Sequence, residues 1–442
     1  MRMPLFKTGA ALFIALLAVC FFSPDSRASS TRFDTLAYQW AQGRTIDSVL
    51  VHNNTRVKTI AILREMESQP GRRLDALAVD RDQRFLGDLS PFATVEINVE
   101  PIGDDRCILH VMITERPSLL LKLIYPVLDY DFNTERITYG LKWSDRNFRR
   151  RLESFSLEGV RDNHENNSAS IGWSSGWVGW KHLGVGARAS FFERTEPTSA
   201  PAIFRQSRLA ANLNVPLTER RIAFSQILTG LAYAHNNIGV TAETTDEEEL
   251  VSPSVGFRFD NRDASLKPRR GGLFYANVLS NFIVRGEGDH YYRIDNDMRF
   301  FQPLDESTVL ALRSALTVQL ADYPDYIRLG IGGPGTIRGY ERSDFRSAHR
   351  WIQTAELRMT PWPKVFYKLP FIGLTDFQLG MVLFVDGGIG WTDQSEFKYD
   401  NFHSGFGMGV RLFSPIQDVL RVDVGYSSKG RIRPYFSTGM NF

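Results

Sequence analysis

Apolar and polar residues alternate with a period of two through most of the chain. This is the period of a β-strand, because successive side chains of a strand point to opposite faces. At about twenty residues for each strand and its connection, the region holds about sixteen antiparallel strands. The pattern therefore predicts an all-β domain over residues 118–442. Its clearest apolar runs are Ile137, Tyr139, Leu141 and Trp143, and Leu420, Val422, Val424 and Tyr426.

A different pattern occupies residues 46–117, where strand and helix periods follow each other. It indicates a small α+β domain. Cys107 lies on the apolar face of the last strand of this domain, so we expect its thiol to be buried. The predicted elements are a strand at 46–51, helices that begin after the capping residues Thr55 and Asp75, and strands at 92–100 and 106–115.

The first residues have the pattern of a secretory signal peptide. Arg2 and Lys7 precede an apolar run from residue 10 to residue 22, and small residues precede a cleavage site after Ala28. We expect residues 1–28 to be removed and residues 29–45 to form a short N-terminal segment.

Export makes an outer-membrane barrel possible as well as a soluble β-sandwich. Alternation alone fits a soluble sandwich as well as a membrane barrel. Aromatic strand ends such as Trp351 and Trp391 favour the barrel, and no later segment is apolar enough for a transmembrane helix. We therefore predict an all-β transmembrane barrel of about sixteen antiparallel strands in the bacterial outer membrane.

Charge and composition narrow the chemistry. The chain has 52 basic and 50 acidic residues, and cleavage removes three basic residues and one acidic residue, so the mature protein is neutral. A neutral protein does not favour nucleic acid as a partner. The histidines lack metal-ligand spacing, and we expect no metal, no cofactor and no catalytic residue. The acidic run Asp246–Glu249 is expected in a solvated loop outside the cell.

One stretch departs from strand periodicity. Residues 321–350 are irregular and rich in glycine, and Arg338 lies among the glycines. Irregular segments of this length within compact folds are usually functional. Because a guanidinium binds a carboxylate through two parallel hydrogen bonds, we expect Arg338 to hold this segment against a carboxylate.

Two carboxylates on the following strands are candidates for that contact. Glu356 points to the polar face of the strand at 351–362, and Asp386 lies on the next strand. Gly388 and Gly390 share the face of Asp386, and glycines leave space for an incoming loop. We therefore expect the loop to enter the barrel and to stop against this face.

In their order and spacing, these motifs resemble the bacterial surface antigen superfamily, whose members include BamA, TamA and the two-partner secretion transporters. The resemblance implies that residues 46–117 are one POTRA domain in the periplasm and that residues 260–272 form the turn between barrel strands eight and nine. Asp386 would lie on strand thirteen. The implied contact set, called here the loop-six lock, is Arg338, Gly339, Tyr340, Asp386 and Glu356. A C-terminal barrel signal is implied at Phe436, Met440 and Phe442, on one face of the last strand.

A member of this superfamily is expected to assemble, insert or translocate proteins at the outer membrane without covalent chemistry. The resemblance implies a weak seam between the first and last strands, while the POTRA edge holds unfolded outer-membrane or secreted clients. Outer-membrane lipid or lipopolysaccharide and accessory periplasmic proteins are further expected partners. A single POTRA domain departs from BamA and TamA, which carry several, and from the secretion transporters, which carry two. A two-partner secretion transporter and a passive pore or lipid-export channel remain as alternatives.

Overall fold

The computed structural model describes residues 36–442 except 117–123, 132–135, 180, 197–201, 219–223, 241–245, 265–266, 322, 370–372, 415–417 and 439–441. The expected signal peptide and residues 29–35 lie outside the described residues. Within the described residues, no helix combines the length and the apolar character needed to cross a membrane.

A small α+β unit precedes the barrel. Its elements are α1 (Leu36–Gln39), β1 (Thr45–His52), α2 (Thr59–Leu63), α3 (Ala76–Asp88), β2 (Phe92–Ile102) and β3 (Arg106–Glu115). The strands pair in the order β1-β3-β2, with β1 parallel and β2 antiparallel to β3. Asp75 caps α3 as predicted, because its side chain accepts a hydrogen bond from the main-chain N–H of Leu77.

One face of this sheet forms the core of the unit. Cys107, Leu109 and Val111 alternate along β3 and are fully buried, in one cluster with Val79 and Leu86 of α3. The predicted burial of Cys107 is confirmed. Burial raises the pKa of its thiol, which keeps the sulfur in its unreactive protonated form.

The first long loop of the unit differs from the prediction. Helix α2 begins at Thr59, and Thr55 does not cap it. The Thr55 hydroxyl instead donates to Glu115 Oε2 at 2.9 Å, and the same carboxylate accepts from the main-chain N–H groups of Arg56 and Val57. The prediction was wrong because Glu115, distant in sequence, offers these donors a charged acceptor.

The rest of the chain forms a closed antiparallel barrel. The barrel strands and two short inner strands, β15 and β16, are β4 (Ile124–Asp131), β5 (Arg136–Phe148), β6 (Glu153–Asp162), β7 (Asn167–Ser175), β8 (Gly184–Glu196), β9 (Ala202–Pro216), β10 (Phe224–Val240), β11 (Asp246–Asp260), β12 (Gly271–Arg285), β13 (Tyr291–Pro303), β14 (Thr308–Leu320), β15 (Leu329–Ile331), β16 (Phe345–Ser347), β17 (His349–Met359), β18 (Val365–Leu369), β19 (Gly373–Trp391), β20 (His403–Ser414), β21 (Asp418–Ser427) and β22 (Ile432–Thr438).

Each barrel strand pairs with the next along the chain, and β22 returns to pair with β4. Strands β17 and β18 pair with successive parts of the long β19, so together they make one strand of the wall. Counted over the described residues, the wall has sixteen strands, as predicted. Strands β11 and β12 are then the eighth and ninth, and β19, which carries Asp386, is the thirteenth.

Side chains on the two faces of the wall differ in character. On β19, Leu383 and Val385 are 45% and 59% exposed on the outer surface, whereas Phe384 and Asp386 are 3% and 0% exposed in the lumen. Charged residues point inward and aliphatic residues outward. This is the arrangement of a membrane barrel, because a soluble sandwich points its aliphatic residues inward.

The acidic run lies in a strand. Asp246–Glu249 begin β11, and Glu248 is 3% exposed on the luminal side. Its carboxylate accepts a hydrogen bond from Asn236 Nδ2 at 2.9 Å and another from the Tyr326 hydroxyl. The prediction of a loop was therefore wrong, and the prediction of solvation was wrong for Glu248, because these two donors compensate the desolvation of its carboxylate. Asp246 and Glu247 are exposed.

The N-terminal unit contacts turns at one end of the barrel. The indole N–H of Trp177, after β7, donates to Glu65 Oε1 at 2.7 Å. The main-chain N–H of Lys58 donates to the carbonyl oxygen of Arg150, after β5, at 2.9 Å. We call this the proximal end. Because strands alternate in direction, the turns after β9, β11 and β13 also lie there.

Candidate functional site

The segment between β14 and β17, residues 321–348, folds back into the barrel lumen, and we call it loop six. Ile337, Arg338 and Tyr340 are at most 1% exposed. Strands β15 and β16 pair as a hairpin within the loop. The predicted range of 321–350 was two residues too long, because His349 already pairs with Trp391 in the wall.

Arg338 and Asp386 form a two-pronged ion pair in the lumen. The arginine donates from Nε to Oδ2 at 2.7 Å and from Nη2 to Oδ1 at 2.8 Å. The main-chain N–H of Arg338 donates to the same Oδ2 at 3.0 Å. Both side chains are completely buried, so each depends on the other for its charge compensation.

Glu356 supplies a second carboxylate. Its Oε1 lies 2.8 Å from Nη1 of Arg338, and the guanidinium carbon lies 3.4 Å from the ring centre of Phe384. Burial alone lowers the pKa of Arg338, but the neighbouring carboxylates, Asp386 above all, raise it above its ordinary value. The guanidinium therefore stays charged at every physiological pH.

Three more arginines surround the lock, and their side chains are at most 10% exposed. Four guanidinium groups thus share three carboxylates in one buried network, so removing any carboxylate leaves several cations under-compensated. The contacts are Arg411 Nη1 to Asp423 Oδ1 (2.6 Å), Arg358 Nε to Glu356 Oε2 (2.9 Å) and Arg421 Nη2 to the carbonyl oxygen of Pro334 in loop six (2.9 Å).

Loop six is also tied to the last strand. The main-chain N–H of Gly339 donates to the Tyr435 hydroxyl at 2.8 Å, and that hydroxyl donates to the carbonyl oxygen of Tyr340 at 2.6 Å. Gly339 has φ +100°, and a Cβ there would lie 2.7 Å from the nitrogen of Ser427. A side chain at position 339 is therefore excluded by backbone conformation and by space.

The two glycines beside Asp386 provide the expected space. A Cβ at Gly388 would lie 2.7 Å from Ile352 Cδ1, and one at Gly390 would lie 2.3 Å from Ile331 Cδ1. Ile331 belongs to loop six and Ile352 to the wall beside it. The missing side chain at Gly390 therefore leaves space for loop six, and the one at Gly388 leaves space mainly for the neighbouring wall strand.

Aromatic residues near the end of the chain do not share one strand face. Phe442 follows β22, is 6% exposed and packs against Phe301 in the lumen. Its main-chain oxygen accepts a hydrogen bond from Arg358 Nη2 at 3.0 Å. Phe436 lies on β22, and Met440 lies outside the described residues. The prediction that Phe442 and Phe436 share one strand face was wrong. Phe442 lies in the lumen instead, where it contacts Phe301 and Arg358.

The joint between β22 and β4, which we call the seam, has few residue pairs within the part of the chain that the structure describes. Over the described residues it consists of Tyr435 opposite Asp131 and Phe436 opposite Tyr130. Seven residue pairs join β22 to β21, and eight join β4 to β5. One side of each seam strand is thus well paired and the other is not.

The closed barrel, its inward loop and its seam are the features that a comparison with known protein families has to explain. The family model described as the Omp85 superfamily domain matches residues 130–442. The chain belongs to the Omp85 superfamily. Barrels of this superfamily reside in the bacterial outer membrane, and the resemblance inferred from the motifs is confirmed at this level.

Solved Omp85 structures share the fold at low sequence identity. BamA from Haemophilus ducreyi lacking POTRA domains 1–3 has 16% identity and a TM-score of 0.56, over 89% of this chain and 84% of that one. CdiB from Acinetobacter baumannii has 13% identity and a TM-score of 0.60, over 90% and 73%. CdiB from Escherichia coli has 12% identity and a TM-score of 0.63, over 90% and 77%. No match was found among curated protein sequences.

Several residues of this Omp85 site were not predicted from the sequence, among them the three further arginines of the network, Asp423 and Tyr435. Asp423 lies 3.8 Å from Arg338 Nη1, and the Tyr435 hydroxyl bridges loop six to β22. Arg421 and Asp423 alternate on one face of a membrane strand, and such paired charges are a signal of luminal contacts. Tyr435 carried no comparable signal, because tyrosine is common on both faces of barrel strands.

Proposed function

We propose that this Omp85 protein inserts or translocates unfolded proteins at the outer membrane, without covalent chemistry, by opening its seam. The observation that carries the proposal is the seam between β4 and β22, which has two residue pairs within the described parts of both strands. Unpaired backbone groups are costly next to lipid, so a wall normally keeps its strands fully paired. A short joint in one place lowers the free energy needed to open the wall there and leaves strand edges that a client strand can pair with.

Loop six would keep the seam closed between clients. It contacts β22 through Tyr435 and through Arg433, whose Nη2 lies 2.5 Å from Glu341 of the loop. Arg338 anchors the same loop to β19. Loop six therefore braces β22 from the lumen at the seam itself, because Tyr435 also pairs with Asp131 of β4. Release of the loop would free β22 to move away from β4.

The N-terminal unit would be a single POTRA domain on the periplasmic side. Its sheet ends on one side at β2, which pairs only with β3 in the described sheet. A free strand edge accepts an extended segment through main-chain hydrogen bonds. Unfolded outer-membrane or secreted proteins are the clients that this edge would hold, and accessory periplasmic proteins and lipopolysaccharide would be further partners.

A disulfide across the seam tests the proposal. In a Cys107→Ala background, cysteines replace Tyr130 and Phe436, which are opposite each other. Oxidised protein is reconstituted in vesicles with a urea-denatured barrel protein as client. We expect the crosslink to stop client insertion and a reductant to restore it, with insertion measured as heat-modifiable mobility of the client.

The matched control is a crosslink between Val410 and Val422, which are paired across β20 and β21 and face outward. This crosslink should leave insertion unchanged. Full insertion with the seam completely crosslinked would contradict lateral opening. If export of a secreted partner through the lumen also continued, the two-partner secretion alternative would be the better account.

A further inference from the structure

The half of the lumen opposite the lock contains a second arginine-rich region. A cavity of about 760 Å³ lies against the luminal faces of β9 to β14. Its lining includes the proximal ends of β9, β10, β11 and β13, on the side of the N-terminal unit. We call it the vestibule.

Cationic side chains predominate in its wall. Amides of Asn212, Asn214 and Gln226 add neutral polar groups. The only carboxylates among its described lining residues are Asp295 and Asp297. Six arginines line the cavity: Arg258, Arg262, Arg293, Arg299, Arg313 and Arg350.

Two carboxylates near these arginines each accept hydrogen bonds from two of them. Asp260 accepts from both Arg258 and Arg262, at 2.7 and 2.9 Å. Asp297 accepts from both Arg299 and Arg313, at 2.9 and 2.8 Å. In these contacts, each pair of arginines therefore shares a single carboxylate.

Two further arginines of the vestibule, Arg293 and Arg350, differ in the acceptors that they contact. Arg293 donates to Asp295 at 2.9 Å. Arg350 donates from Nη1 to the carbonyl oxygen of Gly330 at 2.9 Å, which is a neutral acceptor. Among the described residues, the six guanidinium groups of the vestibule thus contact three carboxylates, Asp295 and Asp297 in its lining and Asp260 outside it.

Donor groups also remain available to a ligand. The side chains of Arg258 and Arg293 are 38% and 36% exposed. Within the described residues Arg258 donates from Nη2 only, to Asp260. Partly exposed guanidinium groups with spare N–H donors match the geometry of phosphate oxygens.

Loop six limits the size of any ligand. It crosses the distal end of the vestibule, where Arg350 binds Gly330 and Gln319 Nε2 donates to the carbonyl oxygen of Ile327 at 3.1 Å. An extended acidic polypeptide would have to pass this loop, whereas a compact anion does not. We propose that the vestibule binds a small anion that carries two or more phosphate groups, either free or on a lipid headgroup.

The test uses tripolyphosphate as the probe and isothermal titration calorimetry of the full chain in a zwitterionic detergent. The variant is Arg258→Gln with Arg299→Gln, because each change leaves its carboxylate paired with the second arginine. We expect saturable binding that weakens with salt. The double variant should bind about a hundredfold more weakly, since each lost charge-assisted hydrogen bond lowers affinity about tenfold.

Arg188→Gln is the matched control. Arg188 lies on β8 outside the vestibule and donates to Ser170 Oγ, so its loss should leave affinity unchanged. Heat-modifiable mobility checks that each variant is folded. Cardiolipin, whose headgroup carries two phosphate groups, is added to the micelles to separate the two sources, since it competes with tripolyphosphate only if the site takes a headgroup. No saturable binding by the native protein, or equal binding by a folded double variant, would overturn the proposal.

Discussion

Both halves of the lumen, the one around the lock and the vestibule, are rich in arginine, but the arginine side chains differ in exposure. Around the lock, the side chains of Arg338, Arg411 and Arg421 are 0%, 2% and 6% exposed. In the vestibule, Arg258 and Arg293 are 38% and 36% exposed. The lock is buried throughout, whereas the vestibule combines these two partly exposed arginines, which a ligand can reach, with the buried Arg262, which is 7% exposed.

This difference in burial sets the energetic role of each half. A buried cation that loses its partner cannot regain water, so the fold bears the full desolvation cost. A partly exposed arginine that loses its partner is hydrated instead. We therefore expect mutations at the lock to act on stability and closure, and mutations in the vestibule to act on binding.

The largest effect is expected at the ion pair between Arg338 and Asp386. Arg338→Ala and Asp386→Ala should each lower the free energy of unfolding by about 3–5 kcal/mol, because each leaves an uncompensated buried charge. The double variant should be no worse than either single variant. Urea denaturation followed by heat-modifiable mobility measures all three proteins.

A lysine control sharpens this double-mutant cycle. Arg338→Lys should restore only part of the stability, because an ammonium cannot make the two parallel hydrogen bonds. Strictly additive losses in the double variant would mean that the two residues do not interact, and the assignment of the lock would then fail.

A smaller effect is expected at Tyr435. Tyr435→Phe removes the hydroxyl that joins Gly339 and Tyr340 to β22. Loss of a buried partner of this kind costs about 1–3 kcal/mol, and faster disulfide formation across the seam should accompany it. Tyr426→Phe is the control, since Tyr426 is 40% exposed on the outer face. If the seam cysteines crosslinked at equal rates in both variants, loop six would not keep the seam closed through Tyr435.

The smallest effect is expected in the vestibule. Arg258→Gln should change the free energy of unfolding by about 1 kcal/mol or less, because Arg258 is partly exposed and Asp260 keeps Arg262. The measurement is the same urea denaturation. A loss as large as that of Arg338→Ala would contradict the distinction between the two halves.

Periodicity was sufficient for the architecture, because alternation reports which face of each strand is buried. The pairing of Arg338 with Asp386 followed from motif order and from the glycines around them. The errors have a common cause. Thr55, Glu248 and Phe442 each take a partner that lies far away in sequence, and a local pattern carries no information about such a partner.

Amide hydrogen exchange of the reconstituted barrel tests the central claim most directly, since it reports local opening strand by strand. The account predicts that β4 and β22 exchange faster than β20 and β21, and that Arg338→Ala increases exchange at β22 more than at β20. Equal protection of all four strands, in the native protein and in the variant, would contradict a seam that opens under the control of loop six.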